Sequence, residues 1–579
     1  MIDKMMQMTY EKWCRLATED NDVVQELQRM GQDAKALEDA FYKELSFGTG
    51  GLRGVIGAGP NQLNIYTIGK ASQGLAQYIR NNYPQEKWRI AVSYDSRIKS
   101  DVFAKKSAEV FAAAGLQVYL YPQLMPTPCL SFAVRQLGCA AGVMVTASHN
   151  PSKYNGYKVY GADGCQITPE AAKAIYKEIQ AVDAFADVQS IPFDEALAVG
   201  GIAYIEPSVE DAFIEAVKAQ SLLSGVTAAE GGNIDKSVSI VYSPLNGTGL
   251  KPVLRTLQEC GYTNITVVKE QEQPDGHFPT CPSPNPEVRE AMELGLQYAK
   301  RHQAELLLAT DPDCDRVGIA VKDPQGEYVL LSGNETGMLM LDYVCEMRVR
   351  QGRMPEDPVM IKTIVTTDMA ERIAARYGVR TVNVLTGFKY IGEQIGFLEA
   401  EGKADSFIFG MEESYGYLSG SYVRDKDGVV ASLLICEMYA WYQSQGVSLY
   451  ERLQQLYAQY GYCLNTLHSY TFEGAAGFAK MQEIMAHIRE EGISADEKKH
   501  HMVIGGKQVL RCLDYSLGLN GLPPSDVLKF YLEDDCSIVV RPSGTEPKLK
   551  LYFSVCGEDQ KAAAELEKKI AAQMQEYMK

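Results

Sequence analysis

Three aspartates at alternate positions form the chemically most informative cluster of the sequence. Asp311, Asp313 and Asp315 follow an apolar run at 306–310, so a strand is expected to end in this acidic loop. Crowded carboxylates beside a buried strand are costly without a cation, and oxygen-only ligation favours Mg²⁺ or Mn²⁺ over zinc. A solvated acidic turn is the alternative. A calcium loop of the EF-hand type is excluded, because Arg316 and Lys322 stand where it needs glycine and glutamate.

A possible nucleophile lies in a second loop. The motif Thr-Ala-Ser-His-Asn-Pro occupies 146–151 after an apolar run, and its small residues and proline predict a tight turn from which Ser148 projects. A hydroxyl is a weak nucleophile unless a base, a metal or a phosphate handles its proton. Taken alone, the motif is more typical of a turn whose polar side chains cap backbone groups. The absence of Gly-x-Ser-x-Gly excludes the nucleophile elbow of hydrolases.

Two further loops offer groups suited to sugars and phosphates. Thr-Gly-Phe-Lys at 386–389 places Lys389 where it could bind a phosphate or, with a lowered pKa, transfer a proton. A surface lysine at the start of a helix is the alternative. Glu412, Glu413 and Ser414 follow another apolar run and could accept hydrogen bonds from sugar hydroxyls. The alternative is an acid-rich first turn of a helix.

A fifth loop combines glycine, hydroxyl and basic residues. The sequence Arg-Pro-Ser-Gly-Thr-Glu-Pro-Lys occupies 541–548. Its backbone N–H groups and guanidinium could hold a phosphate through several bonds. A hairpin turn with incidental charge is the alternative.

The five loops share one position, directly after an apolar run of strand type. In open parallel sheets ligands bind beyond the carboxyl ends of the strands, so several domains are expected to face one cleft. Strands and helices alternate from residue 89, and the pattern restarts at 238 and at 359, which predicts three similar, mostly parallel α/β units. After about 460, two helices near 474–491 and 558–578 and a hairpin at 537–555 predict a smaller α+β domain. Residues 7–45 have the spacing of two short helices.

These patterns predict an α/β fold that is divided into five segments. They are an N-terminal helical lead-in (1–46), a domain with the serine loop (47–205), a domain with the acidic loop (206–325), a domain with the Glu-Glu-Ser loop (326–457) and a domain with the basic loop (458–579).

Net charge, cysteine spacing and the lengths of apolar stretches argue against several classes of protein. The 579 residues carry a formal charge of −18, which argues against non-specific binding of nucleic acid. Thirteen cysteines without paired spacing indicate reduced thiols in a cytoplasmic protein rather than a disulfide framework. The N-terminus has no apolar signal region, and no stretch is long and apolar enough to indicate a membrane span.

Together the motifs resemble those of the α-D-phosphohexomutases. Thr-Ala-Ser-His-Asn-Pro, Asp-x-Asp-x-Asp-Arg, Gly-x-Glu-Glu-Ser and Arg-Pro-Ser-Gly-Thr-Glu-Pro occur in the family's order, and the match extends from about residue 48 to 555. The opening Phe-Gly-Thr-Gly-Gly-Leu-Arg-Gly at 47–54 and Thr-Gly-Phe-Lys are most similar to the branch of long bacterial phosphoglucomutases and phosphopentomutase-type relatives. The resemblance implies four domains around a central cleft, of which three share a mixed-sheet α/β core and the fourth is similar to the TATA-binding protein.

The resemblance also implies roles for individual residues. Ser148, adjacent to His149, would carry a phosphoryl group and share an Mg²⁺ ion with the three aspartates. The basic candidates for the catalytic centre are Arg53, Lys158, Arg316 and Lys389. The candidates for binding substrate, besides Arg316, are Gly387, Glu412, Ser414, Arg541, Ser543, Gly544, Thr545 and Lys548.

The implied reaction is the interconversion of glucose 1-phosphate and glucose 6-phosphate. It would proceed through a phosphoserine and glucose 1,6-bisphosphate, the latter also acting as activator, in a monomer or weak dimer that closes its fourth domain over the substrate. Alternatives within the class are a phosphopentomutase and a hexose-1,6-bisphosphate synthase. Outside it, a metal-dependent sugar phosphatase and a sugar-phosphate-binding regulator are possible, whereas a P-loop kinase is excluded by the missing Gly-x-x-x-x-Gly-Lys motif.

Overall fold

The computed structural model describes residues 4–48, 50–223, 234–472, 474–496, 502–519, 521–543 and 548–578. Among these residues the strands form four separate sheets, which follow one another along the chain. Within the same residues, no helix combines the length and apolarity that a membrane crossing requires.

Three helices, not the two predicted, precede the first sheet: α1 (Lys4–Leu16), α2 (Asn21–Met30) and α3 (Ala34–Phe41). The prediction was wrong because two aspartates each start a new helix. The Asp20 carboxylate accepts from the N–H of Asp22, and the Asp33 carboxylate accepts from two N–H groups at the start of α3. Trp13 on α1 packs against Tyr66 at a ring distance of 5.6 Å, so the lead-in shares the core of the first α/β unit.

The first sheet is mixed, with six strands in the order β1-β5-β4-β2-β3-β6. Strands β4, β2, β3 and β6 are parallel, whereas β1 and β5 add an antiparallel edge. The strands are β1 (Gly51–Val55), β2 (Arg89–Tyr94), β3 (Gln117–Leu120), β4 (Ala141–Val145), β5 (Tyr154–Gly161) and β6 (Ile202–Tyr204). The helices are α4 (Ile65–Asn82), α5 (Ser100–Ala113), α6 (Thr127–Gln136), α7 (Pro169–Gln180) and α8 (Phe193–Ala198).

The second sheet repeats this plan with five strands in the order β11-β10-β9-β7-β8, of which β9, β7 and β8 are parallel. Its strands are β7 (Ile240–Ser243), β8 (Ile265–Val267), β9 (Leu306–Thr310), β10 (Val317–Lys322) and β11 (Tyr328–Leu331). The accompanying helices are α9 (Pro207–Lys218), α10 (Leu250–Glu259), α11 (Lys269–Glu272) and α12 (Arg289–His302).

The third sheet has four strands in the order β13-β12-β14-β15, with an antiparallel hairpin at one edge. Its strands are β12 (Val359–Thr363), β13 (Arg380–Val384), β14 (Phe407–Glu412) and β15 (Gly416–Leu418). The helices are α13 (Gly333–Arg350), α14 (Met369–Arg376), α15 (Phe388–Ala400), α16 (Gly428–Ser444) and α17 (Leu449–Tyr460).

The fourth sheet is antiparallel throughout, as the predicted α+β pattern requires. Its order is β16-β21-β20-β19-β18-β17, and β20 and β21 form the predicted hairpin. The strands are β16 (Tyr462–Thr471), β17 (Val503–Ile504), β18 (Lys507–Asp514), β19 (Leu528–Leu532), β20 (Ser537–Pro542) and β21 (Lys548–Gly557). The helices are α18 (Gly474–Asp496) and α19 (Gln560–Glu576).

The loop after β9 is the point where the first three sheets meet. The Asp313 carbonyl accepts from the N–H of Thr127 at 2.9 Å, the Cys314 carbonyl accepts from Gly428 at 3.0 Å, and Val317 donates to the Tyr415 carbonyl at 3.1 Å. Three mixed α/β units and an α+β unit confirm the predicted fold class, and the antiparallel edge strands of the first three sheets account for their mixed character.

Candidate active site

Ser148 lies in a tight turn after β4, in the left-handed backbone region with φ of +52°. This region is uncommon for residues other than glycine, so surrounding contacts must hold it. The Ser148 N–H donates to Thr146 Oγ1 at 2.8 Å, and the side chain of Thr146 donates to Asp95 Oδ2 at 2.6 Å. The turn therefore presents Ser148 from a fixed support, and the residue is only 3% exposed.

Arg97 stabilises the same loop through hydrogen bonds to its carbonyls. The sequence analysis did not predict this role. The buried guanidinium of Arg97 donates to the carbonyls of Ser148, Asn150, Pro151 and Tyr154. Its own charge is balanced by Asp95, whose Oδ2 lies 3.4 Å from Nε. The signal available in the sequence was the Asp-Ser-Arg segment at 95–97, directly after β2, but nothing local indicates which carbonyls the arginine reaches.

The three aspartates converge next to the serine. Their ligand oxygens lie within 4.8 Å of one another, and Ser148 Oγ donates to Asp311 Oδ2 at 2.7 Å. All three side chains are buried, and Asp313 Oδ1 and Asp315 Oδ1 have no hydrogen-bond partner among the described residues. Burial and the neighbouring carboxylates raise the pKa of Asp311 well above its usual range. Orphaned, buried, all-oxygen donors beside a serine hydroxyl fit a hard divalent cation such as Mg²⁺.

Cationic side chains surround the acidic loop. Lys158 Nζ lies 2.7 Å from Asp313 Oδ2, and Lys426 Nζ lies 3.1 Å from Asp315 Oδ2. Arg316 Nε is 3.7 Å from Asp315 Oδ1, and the same guanidinium is paired with Glu287. These groups place positive charge where a transferred phosphoryl group would need it.

Lys426 is a second residue that the sequence analysis missed. It lies in the loop between β15 and α16, within the charged run Arg-Asp-Lys-Asp at 424–427. The neighbouring Asp425 accepts from Lys426 Nζ at 3.1 Å and from the hydroxyl of Tyr160 at 2.7 Å. The run could have been noted as a charged loop, but its approach to Asp315 depends on the packing of the third unit against the first two.

His149 and Arg53 lie at the edge of this centre. His149 Nδ1 is 3.2 Å from Ser148 Oγ, and burial, reinforced by nearby cations, lowers the pKa of His149 to about 2. The imidazole is therefore neutral at physiological pH. Arg53 is on β1 opposite Gly156, is exposed, and interacts electrostatically with Asp313.

The Glu-Glu-Ser loop separates its two carboxylates. Glu412 ends β14 and is 5% exposed, and burial raises its pKa to about 7, with Lys426 acting in the opposite direction. Glu413 is held by the hydroxyls of Thr363 and Thr366, each at 3.2 Å from Oε2. Ser414 is half-buried. Glu412 thus interacts electrostatically with Lys426 and Arg316 beside the acidic loop, whereas Glu413 is hydrogen-bonded to the third sheet.

Gly387 and Lys389 lie on either side of Phe388, the first residue of α15, in the loop region that follows β13. Gly387 has φ of +120°, a conformation that side chains disfavour, and it directly precedes the helix. Burial lowers the pKa of Lys389 to about 8. The hydroxyl of Thr386 is buried without a hydrogen-bond partner among the described residues, so this loop offers a free polar atom.

The basic loop belongs to the β20–β21 hairpin. Ser543 donates its N–H to the carbonyl of Lys548 at 2.7 Å, and this bond closes the loop. Arg541 and Ser543 line a pocket with Phe47 and Lys173 of the first unit. The predicted candidates Gly544 and Thr545 lie outside the described residues.

The described contacts therefore form two clusters. One centre contains Ser148 with its neighbouring predicted residues, namely His149, Arg53, Lys158, Asp311, Asp313, Asp315, Arg316 and Glu412. The basic loop lies on a different sheet and faces the start of the first unit. A serine hydroxyl, an oxygen-donor cation site and several fixed cations are the groups that phosphoryl transfer requires.

Models of one protein family match four parts of the chain. They are the phosphoglucomutase/phosphomannomutase α/β/α domain I at residues 44–185, domain II at 211–326, domain III at 332–460 and the C-terminal domain at 488–573. These matches cover most of the sequence and follow the order of the four sheets.

Individual proteins match over nearly the full length. A phosphoglucomutase of Staphylococcus saprophyticus is 35% identical over 531 residues, covering 89% of this chain and 91% of that protein. A phosphoglucomutase of Staphylococcus aureus is 34% identical over 560 residues, covering 95% and 96%. The crystal structure of a putative phosphomannomutase from Thermus thermophilus has a TM-score of 0.66 at 24% identity, covering 92% of this chain and 99% of that one.

A more distant structure has the same fold. The open form of a phosphoglucomutase from Paramecium has a TM-score of 0.69 at 17% identity, covering 92% of this chain and 96% of that one. The matching domains, the extent of the similarity and the serine and aspartate geometry lead to one conclusion: this chain belongs to the phosphoglucomutase/phosphomannomutase family.

Proposed function

We propose that this chain is a phosphoglucomutase, which interconverts glucose 1-phosphate and glucose 6-phosphate through a phosphoserine at Ser148. The observation that carries the proposal is the 2.7 Å contact of Ser148 Oγ with Asp311 inside a buried triad of aspartates. A hydroxyl in this position can exchange a phosphoryl group next to a bound cation. The naming of relatives 34–35% identical as phosphoglucomutases supports the choice of sugar.

The three aspartates and Lys158 would stabilise the negative charge of the phosphoryl group during transfer. Asp311, Asp313 and Asp315 would hold Mg²⁺ with the serine oxygen, and the ion would neutralise charge on the transferring phosphoryl group. Lys158, already hydrogen-bonded to Asp313, is placed to stabilise the same charge.

Proton handling at the reacting hydroxyl falls to basic side chains near the serine. We assign it to Arg53 and Lys158 as first candidates. Lys389, on the third unit rather than beside the serine, is a further candidate for proton transfer or for phosphate binding, because its lowered pKa, about 8, makes both protonation states accessible. The neutral imidazole of His149, 3.2 Å from Ser148 Oγ, helps to orient the hydroxyl.

Binding the sugar in two opposite directions is the second requirement of the reaction. After the first transfer, glucose 1,6-bisphosphate reorients in the cleft, and its other phosphate returns to Ser148. Glu412 and Ser414 would bind the sugar hydroxyls in both directions, aided by Arg316 and the loop at Gly387. The loop of Arg541, Ser543, Gly544, Thr545 and Lys548 would hold whichever phosphate is not reacting.

The proposal also includes the domain boundaries, the cofactor, the location in the cell and the oligomeric state. We propose domain boundaries at 46/47, 205/206, 325/326 and 457/458, with the serine, acidic, sugar and phosphate loops in the four domains in that order. The cofactor is Mg²⁺ and the activator is glucose 1,6-bisphosphate. The enzyme acts on small sugar phosphates in the cytoplasm as a monomer or weak dimer, without nucleic acid or membrane partners.

The decisive experiment is a coupled assay for glucose 6-phosphate, starting from glucose 1-phosphate with Mg²⁺ and a trace of glucose 1,6-bisphosphate. We expect turnover that depends on all three, and a fall on the order of 10⁴-fold or more in Ser148→Ala. The matched control is Ser152→Ala, two residues beyond the motif's asparagine, which should retain activity. Full activity of Ser148→Ala, or faster turnover of ribose 1-phosphate, would contradict the mechanism or the sugar, respectively.

A further inference from the structure

The segment from the end of β12 to the start of α14, residues 362–368, contacts both the Glu-Glu-Ser loop and the fourth sheet. Toward the sugar loop, the hydroxyls of Thr363 and Thr366 both donate to Glu413 Oε2. Toward the fourth sheet, the carbonyl of Ile364 accepts from Lys529 Nζ at 3.1 Å. The segment is therefore a direct bridge between the loop proposed to bind the sugar and the sheet that carries the loop proposed to bind phosphate.

Asp368 is the centre of a buried polar network on this bridge. Its Oδ1 accepts from Lys529 at 2.7 Å and from Lys362 at 3.0 Å, and its Oδ2 accepts from the hydroxyl of Ser537 at 2.7 Å. Lys529 is on β19 and Ser537 is on β20, so the fourth sheet supplies two of these donors. Because Ser537 is the first residue of the strand that ends with Arg541 and Pro542, the network is attached to the phosphate loop through one short strand.

Both lysines are withdrawn from water, with Lys362 0% and Lys529 1% exposed. Lys362 Nζ also lies 3.1 Å from Glu371 Oε1, so two ammonium groups face two carboxylates. Charge balance and hydrogen bonds are what make such burial tolerable. Separating the two sheets at this point would leave Lys529 without its buried carboxylate partner.

Beside this network the interface contains an apolar cluster. Ile364, Val365 and Leu385 of the third unit pack with Val527 and Val539 of the fourth. Apolar side chains tolerate small sliding movements, because dispersion and burial depend weakly on direction. The directional bonds to Asp368 therefore restrict the orientation of the fourth sheet on the third more than the apolar contacts do.

We propose that Asp368, Lys362 and Lys529 are positioning residues, which fix the spacing between the sugar loop and the phosphate loop through residues 362–368. This inference rests on the proposed function, because it assigns those two loops to one substrate. A sugar monophosphate has a fixed length between its hydroxyls and its phosphate, so the two loops must lie at a matching distance. The positioning residues touch neither end of the substrate.

The test compares Lys529→Met with the parent in the glucose 1-phosphate assay. We expect KM to rise by about ten-fold, because the sugar loop and the phosphate loop would no longer lie at the distance that the substrate requires, while kcat at saturation stays within about three-fold. Lys529→Arg, which keeps the charge and the donors, should recover most of the affinity. The matched control is Arg372→Met, which removes another cation between the same two units, bound to Asp535 at 2.5 Å but outside the bridge. Its KM should stay within about two-fold, as expected for a partly exposed pair.

A double-mutant cycle then tests whether the bridge works as a unit. Glu413→Gln weakens the connection at the sugar end, and we expect it to raise KM by about three- to ten-fold. In Lys529→Met/Glu413→Gln the effects should be clearly less than multiplicative, because each change already breaks the same connection. Strictly multiplicative effects would contradict coupling.

The outcomes separate the two proposals. If the parent does not convert glucose 1-phosphate, the proposed function fails. If the parent is active and Lys529→Met has an unchanged KM, or the same KM change as Arg372→Met, only the positioning role fails. Should Lys529→Met not fold, Ser537→Ala replaces it, since removal of one hydroxyl leaves the ion pairs in place. Its KM should rise by about two- to five-fold, and no rise would overturn the inference.

Discussion

The centre around Ser148 and the loop around Arg541 would both bind phosphate, but they are built differently. Ser148 is 3% exposed, its hydrogen-bond partners come from the first and second units, and the third unit adds Lys426 beside the neighbouring Asp315. Arg541 and Ser543 are half-buried and belong to one antiparallel hairpin, in which Arg541 lies opposite Lys550 on the neighbouring strand. Reacting atoms need a fixed geometry, whereas the non-reacting phosphate must be released and bound again within one catalytic cycle. The comparison predicts that changes at the first region lower kcat and changes at the second raise KM.

The largest effect is expected at the acidic triad. Asp313→Asn should lower kcat on the order of 10³-fold, because it removes one ligand of the cation that stabilises the transition state. EDTA should abolish turnover of the parent, and added Mg²⁺ should restore it. Added Mg²⁺ should also raise the melting temperature of the parent but not of the variant.

The control for the triad is Glu290→Gln, an exposed carboxylate at the start of α12 in the same unit. It should keep both kcat and the Mg²⁺-dependent rise in melting temperature. Turnover of Asp313→Asn at the parental rate would exclude the triad as the cation site.

Arg97 tests whether the rigid support of the serine matters. Arg97→Lys keeps the positive charge but cannot donate to the carbonyls of Ser148, Asn150, Pro151 and Tyr154 together. We expect kcat to fall by about 100-fold with little change in KM, because the hydroxyl is misplaced rather than removed. The matched control is Arg80→Lys. Arg80 belongs to the same unit but donates a hydrogen bond to the carbonyl of Ala114, outside the serine loop. Equal kcat values in the two variants would contradict a positioning role for Arg97.

Arg541 tests the second region. Arg541→Ala should raise KM for glucose 1-phosphate by about 10- to 100-fold, which corresponds to one charge-assisted hydrogen bond to phosphate. The fall in kcat should be smaller than the change in KM. Arg511→Ala, on an exposed position of β18 in the same sheet, is the control. A pure kcat effect of Arg541→Ala would show that the two regions do not divide their work as proposed.

The smallest effect is expected from pH. Burial lowers the pKa of Lys389 to about 8, so its charge is lost as pH rises through 8. KM should therefore rise a few-fold between about pH 7 and 9, and Lys389→Arg should flatten this rise. For stability the sign is opposite: the unfolded chain binds the proton more tightly, so the free energy of unfolding attributable to Lys389 increases between about pH 8 and 10.5. A pH profile of KM identical in both proteins would remove Lys389 from the site.

Local patterns predicted much of the fold. Strands at 89–94, 141–145 and 306–310 and the final hairpin lie where apolar runs bounded by turn residues indicated them. The N-terminal helices were miscounted, because the spacing of apolar residues alone did not show that Asp20 and Asp33 would cap new helices. Strand order and the antiparallel edges were also beyond local patterns, since they depend on pairing between distant segments.

For the site, the sequence by itself determined which groups are present: a serine in a tight loop, three aspartates at alternate positions, and loops rich in carboxylates or basic groups after strands. Side-chain chemistry and turn propensity are local properties, so these loops could be identified without a fold. Only the tertiary structure decided which groups meet. Lys426 reaches Asp315, and Lys529 reaches Asp368, across more than a hundred residues of chain. Those contacts come from the packing of whole sheets against one another, and no local pattern encodes them.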